Sequence, residues 1–94
     1  MHYVMARITV KPEAVAATVK LFADLAGPTR QEAGCVSYEV FQQQPSPHVF
    51  QTVEQWRSEA DAQSHMQTPH VAAAFATAGP LLAAPPEILA YTRL

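Results

Sequence analysis

Hydrophobic and polar residues alternate along residues 2–10, a stretch that is rich in Val, Ile, Tyr and Thr. A two-residue period of this kind is typical of a β-strand that turns one face towards a core. The wholly apolar set of alternate residues comprises Val4, Ala6, Ile8 and Val10. We therefore predict a first strand with this set facing the core.

The hydrophobic period lengthens after Pro12, which indicates an amphipathic helix. Apolar residues then recur at steps of three or four: Val15, Val19, Phe22 and Ala26. Gly27-Pro28 is expected to kink or restart this helix, because proline has no backbone N–H to donate. Gly34 is expected to cap the C-terminus of the helix.

Two further strands are predicted at residues 35–43 and 48–56, separated by the turn Pro45-Ser46-Pro47. Because the connection is so short, the two strands should pair antiparallel. The residues that share one face of the second of these strands are Phe50, Thr52, Glu54 and Trp56.

The last third of the chain predicts two short helices and a closing strand. An S-x-x-D capping box at Ser58 favours a helix over residues 59–66. A Thr-Pro pair at Thr68 favours a second helix that ends near residue 78. Residues 87–93 alternate again and complete the order β-α-β-β-α-β.

This order predicts one α+β domain over residues 1–94 with the ferredoxin-like plan, a four-stranded antiparallel sheet with its helices on one face. Of the 94 residues, 49% are hydrophobic and only 15% are charged, which is apolar for so small a domain. Because the helices cover only one face of the sheet, we expect a second copy to cover the other. Two sheets meeting in this way would form a homodimeric α+β barrel.

Charge and cysteine content exclude several classes of protein. The six Lys and Arg residues are scattered along a chain of formal charge −2, so no nucleic-acid-binding surface is expected. No apolar stretch reaches the roughly 18–20 residues of a membrane span. The single cysteine, Cys35, cannot form an internal disulfide, and the N-terminus lacks the pattern of a signal peptide, so a cytoplasmic location is expected.

Two motifs carry a resemblance to a known family. Residues 32–38 read EAGCVSY, which is similar to the family pattern E-x-G-C-x-x-Y. Residues 54–58 (EQWRS) and 65–70 (HMQTPH) are similar to its pattern E-x-W-x-S…H-x-x-T-P-H. These motifs resemble the antibiotic biosynthesis monooxygenase domain, and within it the small quinol monooxygenases most closely. The resemblance covers essentially the whole chain.

The resemblance implies a reaction between O₂ and a small aromatic substrate, a quinol or another polyhydroxylated ring, with no cofactor. An electron-rich phenolate can give an electron to O₂ directly, and so replaces the flavin, haem or metal of other oxygenases. Haem-degrading relatives carry Asn, Trp and an iron-binding His where this chain has Ala6, His65 and Phe75. Haem degradation is therefore not expected.

Three residues are candidates for acid–base catalysis: His65, His70 and Glu54. His65 is the favoured base, since histidine changes its charge near neutral pH. The alternatives are structural: His65 could cap the helix junction or bond to Glu54, and His70 could bond to backbone at a helix start. Glu54 could instead pair with Arg7 or with a histidine, which is the role we favour for it.

Four aromatic residues are predicted to bind the substrate: Tyr38, Trp56, Phe50 and Phe75. Tyr38 would serve with His70 as a positioning donor, and Trp56 could equally be a core anchor. No metal is expected, because the spacing of the histidines crosses a proline and matches no common zinc pattern. Two other functions stay open: an isomerase of a small phosphorylated hydroxy-ketone, and a non-catalytic dimeric module that binds a small apolar ligand.

Overall fold

The computed structural model describes residues 1–94. Its strands are β1 (His2–Thr9), β2 (Cys35–Gln42), β3 (Val49–Trp56) and β4 (Glu87–Tyr91). Its α-helices are α1 (Val15–Arg30), α2 (Glu59–His65) and α3 (Pro69–Ala78), and single 3₁₀ turns lie at Pro12–Ala14 and Gly79–Leu81. None of the helices has both the length and the apolar character needed to cross a bilayer.

The four strands form one antiparallel sheet in the order β2-β3-β1-β4. The predicted ferredoxin-like α+β fold is therefore confirmed. Strand β1 lies inside the sheet, pairing His2 with Trp56 of β3 and Val4 with Ala90 of β4. Strand β2 pairs with β3 and shifts register between Cys35 and Ser37.

The inner face of β3 is the best-defined part of the core. As its alternation predicts, four side chains on this face are buried: Phe50, Thr52, Glu54 and Trp56. The apolar set of β1 also faces inward, with Ala6 and Val10 buried and Val4 and Ile8 half-buried. Two adjacent central strands thus present one continuous surface to the helices.

Helix α1 packs with a slightly different stripe from the predicted one. Phe22 and Ala26 are buried as expected, but Val19 is 51% exposed and Thr18 is buried in its place. The Thr18 hydroxyl donates a hydrogen bond to the Ala14 carbonyl at 2.8 Å. Because this bond satisfies the hydroxyl, a threonine can face the core there without an unpaired polar group.

The predicted interruption of α1 at Gly27-Pro28 is wrong, because the helix continues to Arg30. Pro28 lies in the final turn, so its missing N–H removes one bond close to the helix end. Gly34 is not the cap, a position that Gln31 takes. Instead Gly34 lies against α2, where a Cβ atom would be 2.3 Å from Cγ of Asp61. This close approach requires glycine.

Two predicted caps fix the helices beyond β3. The Ser58 hydroxyl accepts a hydrogen bond from the Asp61 N–H at 3.1 Å, which starts α2. The Thr68 hydroxyl accepts from the Val71 N–H at 3.4 Å and donates to the His65 carbonyl at 2.7 Å. A single threonine therefore ties the end of α2 to the start of α3.

Candidate active site

A cavity of about 390 Å³ lies between the inner face of the sheet and the three helices. Most of its wall is apolar and comes from β1, α1, α3 and the segment that leads into β4. Polar side chains on the wall include Tyr38, Thr52, Glu54 and His65. No lysine or arginine lines it. The space suits an uncharged, largely apolar molecule with few polar groups.

Glu32, His65 and His70 form a hydrogen-bonded cluster beside this cavity. Nδ1 of His65 lies 2.7 Å from Oε2 of Glu32, and Nε2 of His70 lies 2.8 Å from the same oxygen. The side chains of His65, Glu32 and His70 are 7%, 15% and 22% exposed. Only His65 of the three lines the cavity.

Three separate elements bring this cluster together. Glu32 lies in the turn after α1, where its N–H donates to the Thr29 carbonyl at 3.1 Å and its carbonyl accepts from the Cys35 N–H at 3.0 Å. His65 is the last residue of α2, and His70 lies in the first turn of α3. The tie between these two helices therefore also sets the spacing of the two imidazoles.

Glu54 is buried in a separate network on the sheet. Its carboxylate accepts hydrogen bonds from the Thr52 hydroxyl at 2.7 Å and from Nε1 of Trp56 at 3.1 Å. The Thr52 hydroxyl accepts in turn from the Ala6 N–H at 2.9 Å. The expected pairing of Glu54 with Arg7 or a histidine is wrong, because strand alternation places Arg7 on the opposite face and supplies nearer donors.

Two of the four predicted substrate-binding aromatics reach the cavity. Tyr38 and Phe75 line its wall, whereas Phe50 and Trp56 do not. Phe50 packs against Phe22 with ring centroids 5.7 Å apart. Phe50 and Trp56 were predicted to contact substrate, but they do not lie on the cavity wall, because Phe50 packs against Phe22 of α1 and Trp56 against His65 of α2.

Trp56 nevertheless belongs to the site through His65. The centroids of the two rings lie 4.6 Å apart with 36° between their planes. The Tyr38 ring lies 6.0 Å from the same imidazole. His65 is therefore held on one side by the indole and on another by a carboxylate, which leaves its ring little freedom to turn.

Burial raises the pKa of the Tyr38 phenol well above its usual range, and the negative charge of Glu54 adds to this effect. The phenol therefore stays neutral and keeps a proton to donate. Burial also raises the pKa of the Cys35 thiol, with the charge of Glu32 as the next cause. A protonated thiol is a poor nucleophile.

The family model of antibiotic biosynthesis monooxygenases matches residues 1–77 of the chain. The protein belongs to the antibiotic biosynthesis monooxygenase family. It is 33% identical over 88 residues to an uncharacterized protein of Synechocystis sp., a match that covers 94% of this chain. The chain spans 60% of the length of that relative.

Solved structures that resemble this member of the antibiotic biosynthesis monooxygenase family agree with the assignment. One crystal structure of an antibiotic biosynthesis monooxygenase superposes with a TM-score of 0.95 at 26% identity, covering 100% of this chain and 99% of the other. The Pseudomonas aeruginosa protein PA3566 superposes with a TM-score of 0.91 at 31% identity, covering 99% and 93%.

The carboxylate of the family motif at residues 32–38 is the residue that sequence reasoning missed. Glu32 opens that motif, yet it was used only to recognise the family and not as a site residue. It lies 33 residues from His65 and 38 from His70. Its position at the head of a motif, two residues before Gly34, was the signal that could have pointed to it.

The same three side chains are also the group best suited to a metal ion. The ligand atoms of Glu32, His65 and His70 lie within 4.8 Å of one another, and two imidazoles with one carboxylate suit zinc or iron. In this arrangement the nitrogen–oxygen distances of 2.7 and 2.8 Å are those of hydrogen bonds. At these distances, imidazole N–H groups can donate to the shared carboxylate oxygen.

Proposed function

We propose that this member of the family is a cofactor-independent monooxygenase that acts on quinols or related polyhydroxylated aromatic substrates with O₂. The observation that carries the proposal is a buried imidazole, His65, on the wall of an otherwise largely apolar cavity of about 390 Å³. A base in a dry, apolar space is what a reaction through a phenolate requires.

The proposed reaction begins when His65 takes the proton of a substrate hydroxyl. The phenolate then gives one electron to O₂, and the two radicals combine to form a carbon–oxygen bond. Cleavage of the O–O bond leaves one oxygen atom on the ring and releases the other as water. A quinol thus becomes a hydroxyquinone and supplies all four electrons that O₂ accepts, so no external reductant is needed.

Tyr38 is the proposed donor to the oxyanion. Its phenol remains protonated and lines the same cavity as His65. A hydrogen bond from a neutral phenol stabilises the negative charge that develops on the substrate oxygen. Phe75 completes the wall on the helical side, where its ring would pack on the substrate.

A homodimer is part of the proposal. The outer face of the sheet carries exposed apolar side chains on both edge strands, among them Phe41, Leu89 and Tyr91. A second copy with the same face would bury them, giving the dimeric α+β barrel expected from the sequence. The free thiol of Cys35 fits a reducing compartment such as the cytoplasm.

The test is O₂ uptake with a 1,4-naphthohydroquinone as probe. We expect His65→Ala to lower kcat/KM by roughly 10²–10⁴-fold, the usual contribution of a general base. His48→Ala, a change in the turn between β2 and β3 and outside the site, should leave the rate unchanged. Uptake that survives in His65→Ala, or that is lost when a chelator is added, would contradict the proposal.

The two other functions left open by the sequence receive less support. An isomerase of a phosphorylated sugar would need cations for the phosphate, yet no lysine or arginine lines the cavity. A purely binding module would not need a buried imidazole such as His65 on the wall. Proton exchange into a hydroxy-ketone without O₂ uptake would favour the isomerase.

A further inference from the structure

We propose that Glu32 is the positioning residue for the base His65, and that His70 acts as a brace for Glu32 and does not meet the substrate. This inference rests on the proposed function, in which His65 removes a proton. It assigns a role to a carboxylate that the sequence did not single out, and it moves His70 from the substrate to the support of the base.

The hydrogen bonds of the cluster fix the positions of its protons. Oε2 of Glu32 lies 2.7 Å from Nδ1 of His65 and 2.8 Å from Nε2 of His70. An ionised carboxylate accepts hydrogen bonds and donates none, so both of these ring nitrogens must carry a proton. In the neutral rings, the lone pair is therefore on Nε2 of His65 and on Nδ1 of His70.

The nitrogen of His65 that does not bond to Glu32 is Nε2. Nε2 has no hydrogen-bond partner in the protein, and it is not among the fully buried unpaired atoms, of which Thr29 Oγ1 is the only one. The residue as a whole is only 5% exposed and lines the cavity. The accessible lone pair of Nε2 therefore opens on the cavity, where a substrate hydroxyl would lie.

The two histidines differ in whether they line the cavity. His70 does not line the cavity, although its side chain is more exposed than that of His65. Its ring lies 6.1 Å from that of His65, and the hydrogen-bonded link between the two rings is the shared oxygen of Glu32. Glu32 lies in a turn and not on a helix or strand. A second hydrogen bond from His70 holds its carboxylate in the orientation that His65 needs.

The negative charge of Glu32 also suits it to support His65. When Nε2 of His65 takes a proton, the ring becomes a cation, and the Glu32 carboxylate at 2.7 Å offsets that charge. Glu54 makes no hydrogen bond to His65; its carboxylate accepts from Thr52 and Trp56 instead. The Glu32 carboxylate is therefore the group that fixes both the tautomer of His65 and the charge of its conjugate acid.

The experiment uses ¹⁵N-labelled histidine in the full chain, without substrate or O₂. Long-range proton–nitrogen spectra distinguish a protonated ring nitrogen from an unprotonated one. For the wild-type protein we expect His65 protonated on Nδ1 and His70 on Nε2. A spectrum with His65 protonated on Nε2 alone would overturn the proposal, as would one equivalent of Zn²⁺ bound in place of the two ring protons.

The matched variant is Glu32→Gln. An amide keeps one carbonyl oxygen that can accept from both rings, as Oε2 of Glu32 does, but it carries no charge to offset that of the His65 cation. We expect kcat to fall by roughly 10–100-fold with KM changed less than about threefold, the usual cost of losing such a support. Glu13→Gln, an exposed residue in the 3₁₀ turn before α1 and outside the cavity wall, is the control and should change neither.

The His70 variant separates the brace from the base. His70→Ala should lower kcat by less than Glu32→Gln does, and His65 should keep its Nδ1 proton in a part of the molecules. Wild-type kcat and an unchanged His65 spectrum in Glu32→Ala, which has no acceptor for either ring, would overturn the positioning role. Because the spectra need no turnover, the expected tautomers in a protein that consumes no O₂ would support the positioning role and reject only the oxygenase.

Discussion

Two carboxylates lie near one end of the cavity, and they are held in opposite ways. Glu54 accepts hydrogen bonds from Thr52 and Trp56, two residues before and after it on the same strand. Glu32 accepts from His65 and His70, which lie 33 and 38 residues further along the chain on other elements. One network is local and the other depends on the whole fold.

The donors differ as well. The hydroxyl and the indole that bond to Glu54 do not change their charge at any pH the protein would meet, so that network is fixed. The imidazoles that bond to Glu32 can each take up a proton on the opposite nitrogen. The comparison indicates that Glu54 contributes to stability and Glu32 to chemistry. The following changes test that division, from the largest effect to the smallest.

Removal of the strand carboxylate should cost the most stability. In Glu54→Ala, the Thr52 hydroxyl and the Trp56 N–H lose their acceptor inside the protein. Two unsatisfied buried donors cost roughly 2–5 kcal/mol in the free energy of unfolding. Urea denaturation of this variant and of Glu32→Ala checks the division. An equal or greater loss in Glu32→Ala would show that the two carboxylates are not separated in this way.

A methyl group at Gly34 should disturb the turn that carries Glu32 and leave the hydrogen bonds of Glu54 unchanged. The new Cβ would collide with Asp61, 2.3 Å away, and push the turn that carries Glu32 away from α2. We expect Gly34→Ala to lower the free energy of unfolding by roughly 1–3 kcal/mol. Gly27→Ala is the matched control.

The control has the opposite expected sign. Gly27 lies within α1, and a Cβ there would meet nothing within 4 Å. Alanine should therefore stabilise the protein by about 0.4–1 kcal/mol, because it restricts the unfolded chain. If both alanine variants have the same stability, the contact between Gly34 and Asp61 does not hold the turn in place.

The pKa of Tyr38 responds to the negative charges of both Glu54 and Glu32, which is a weaker effect than the loss of a hydrogen bond. Burial comes first among the causes that raise its pKa, followed by Glu54, with Glu32 only a minor contributor. Removal of a negative charge favours the phenolate, so Glu54→Gln should lower the pKa of Tyr38 more than Glu32→Gln does. Ultraviolet titration of the phenol, with Tyr38→Phe to identify its signal, measures this order.

The same group predicts how stability depends on pH. The pKa of Tyr38 is higher in the native state than in the unfolded chain, where it is about 10. Above pH 10, the unfolded chain therefore loses a proton that the native state retains. Stability should fall there by up to about 1.4 kcal/mol per pH unit. Tyr38→Phe removes this slope, and an unchanged slope in chemical denaturation would show that Tyr38 is not the cause.

The sequence could predict the strand face on which Glu54 and its partners lie, but it could not predict the contacts of Glu32. A period of two placed Thr52, Glu54 and Trp56 on one buried face, and residue types at the helix starts predicted the Ser58 and Thr68 caps. Nothing in a local pattern reveals that a turn after α1 reaches the junction of two later helices. Glu32 therefore became visible as a site residue only in three dimensions.

Two other differences from expectation have their own physical reasons. Pro28 was expected to kink or restart α1, but a proline near a helix end removes too few bonds to stop it. Phe50 and Trp56 were assigned to the cavity because aromatic rings suit an aromatic substrate. The alternation of β3 predicts that both are buried, but their packing against Phe22 and His65 joins residues far apart in the chain.

The final segment of the chain has a consequence for selectivity. The family model ends at residue 77, whereas Leu81, Pro86, Ile88 and Ala90 continue the wall of the cavity. The range matched by the family model thus includes His65, while part of the cavity wall lies beyond it. Substitutions in this last segment should for this reason alter the size and shape of the molecules that fit the cavity without changing the cluster of Glu32, His65 and His70.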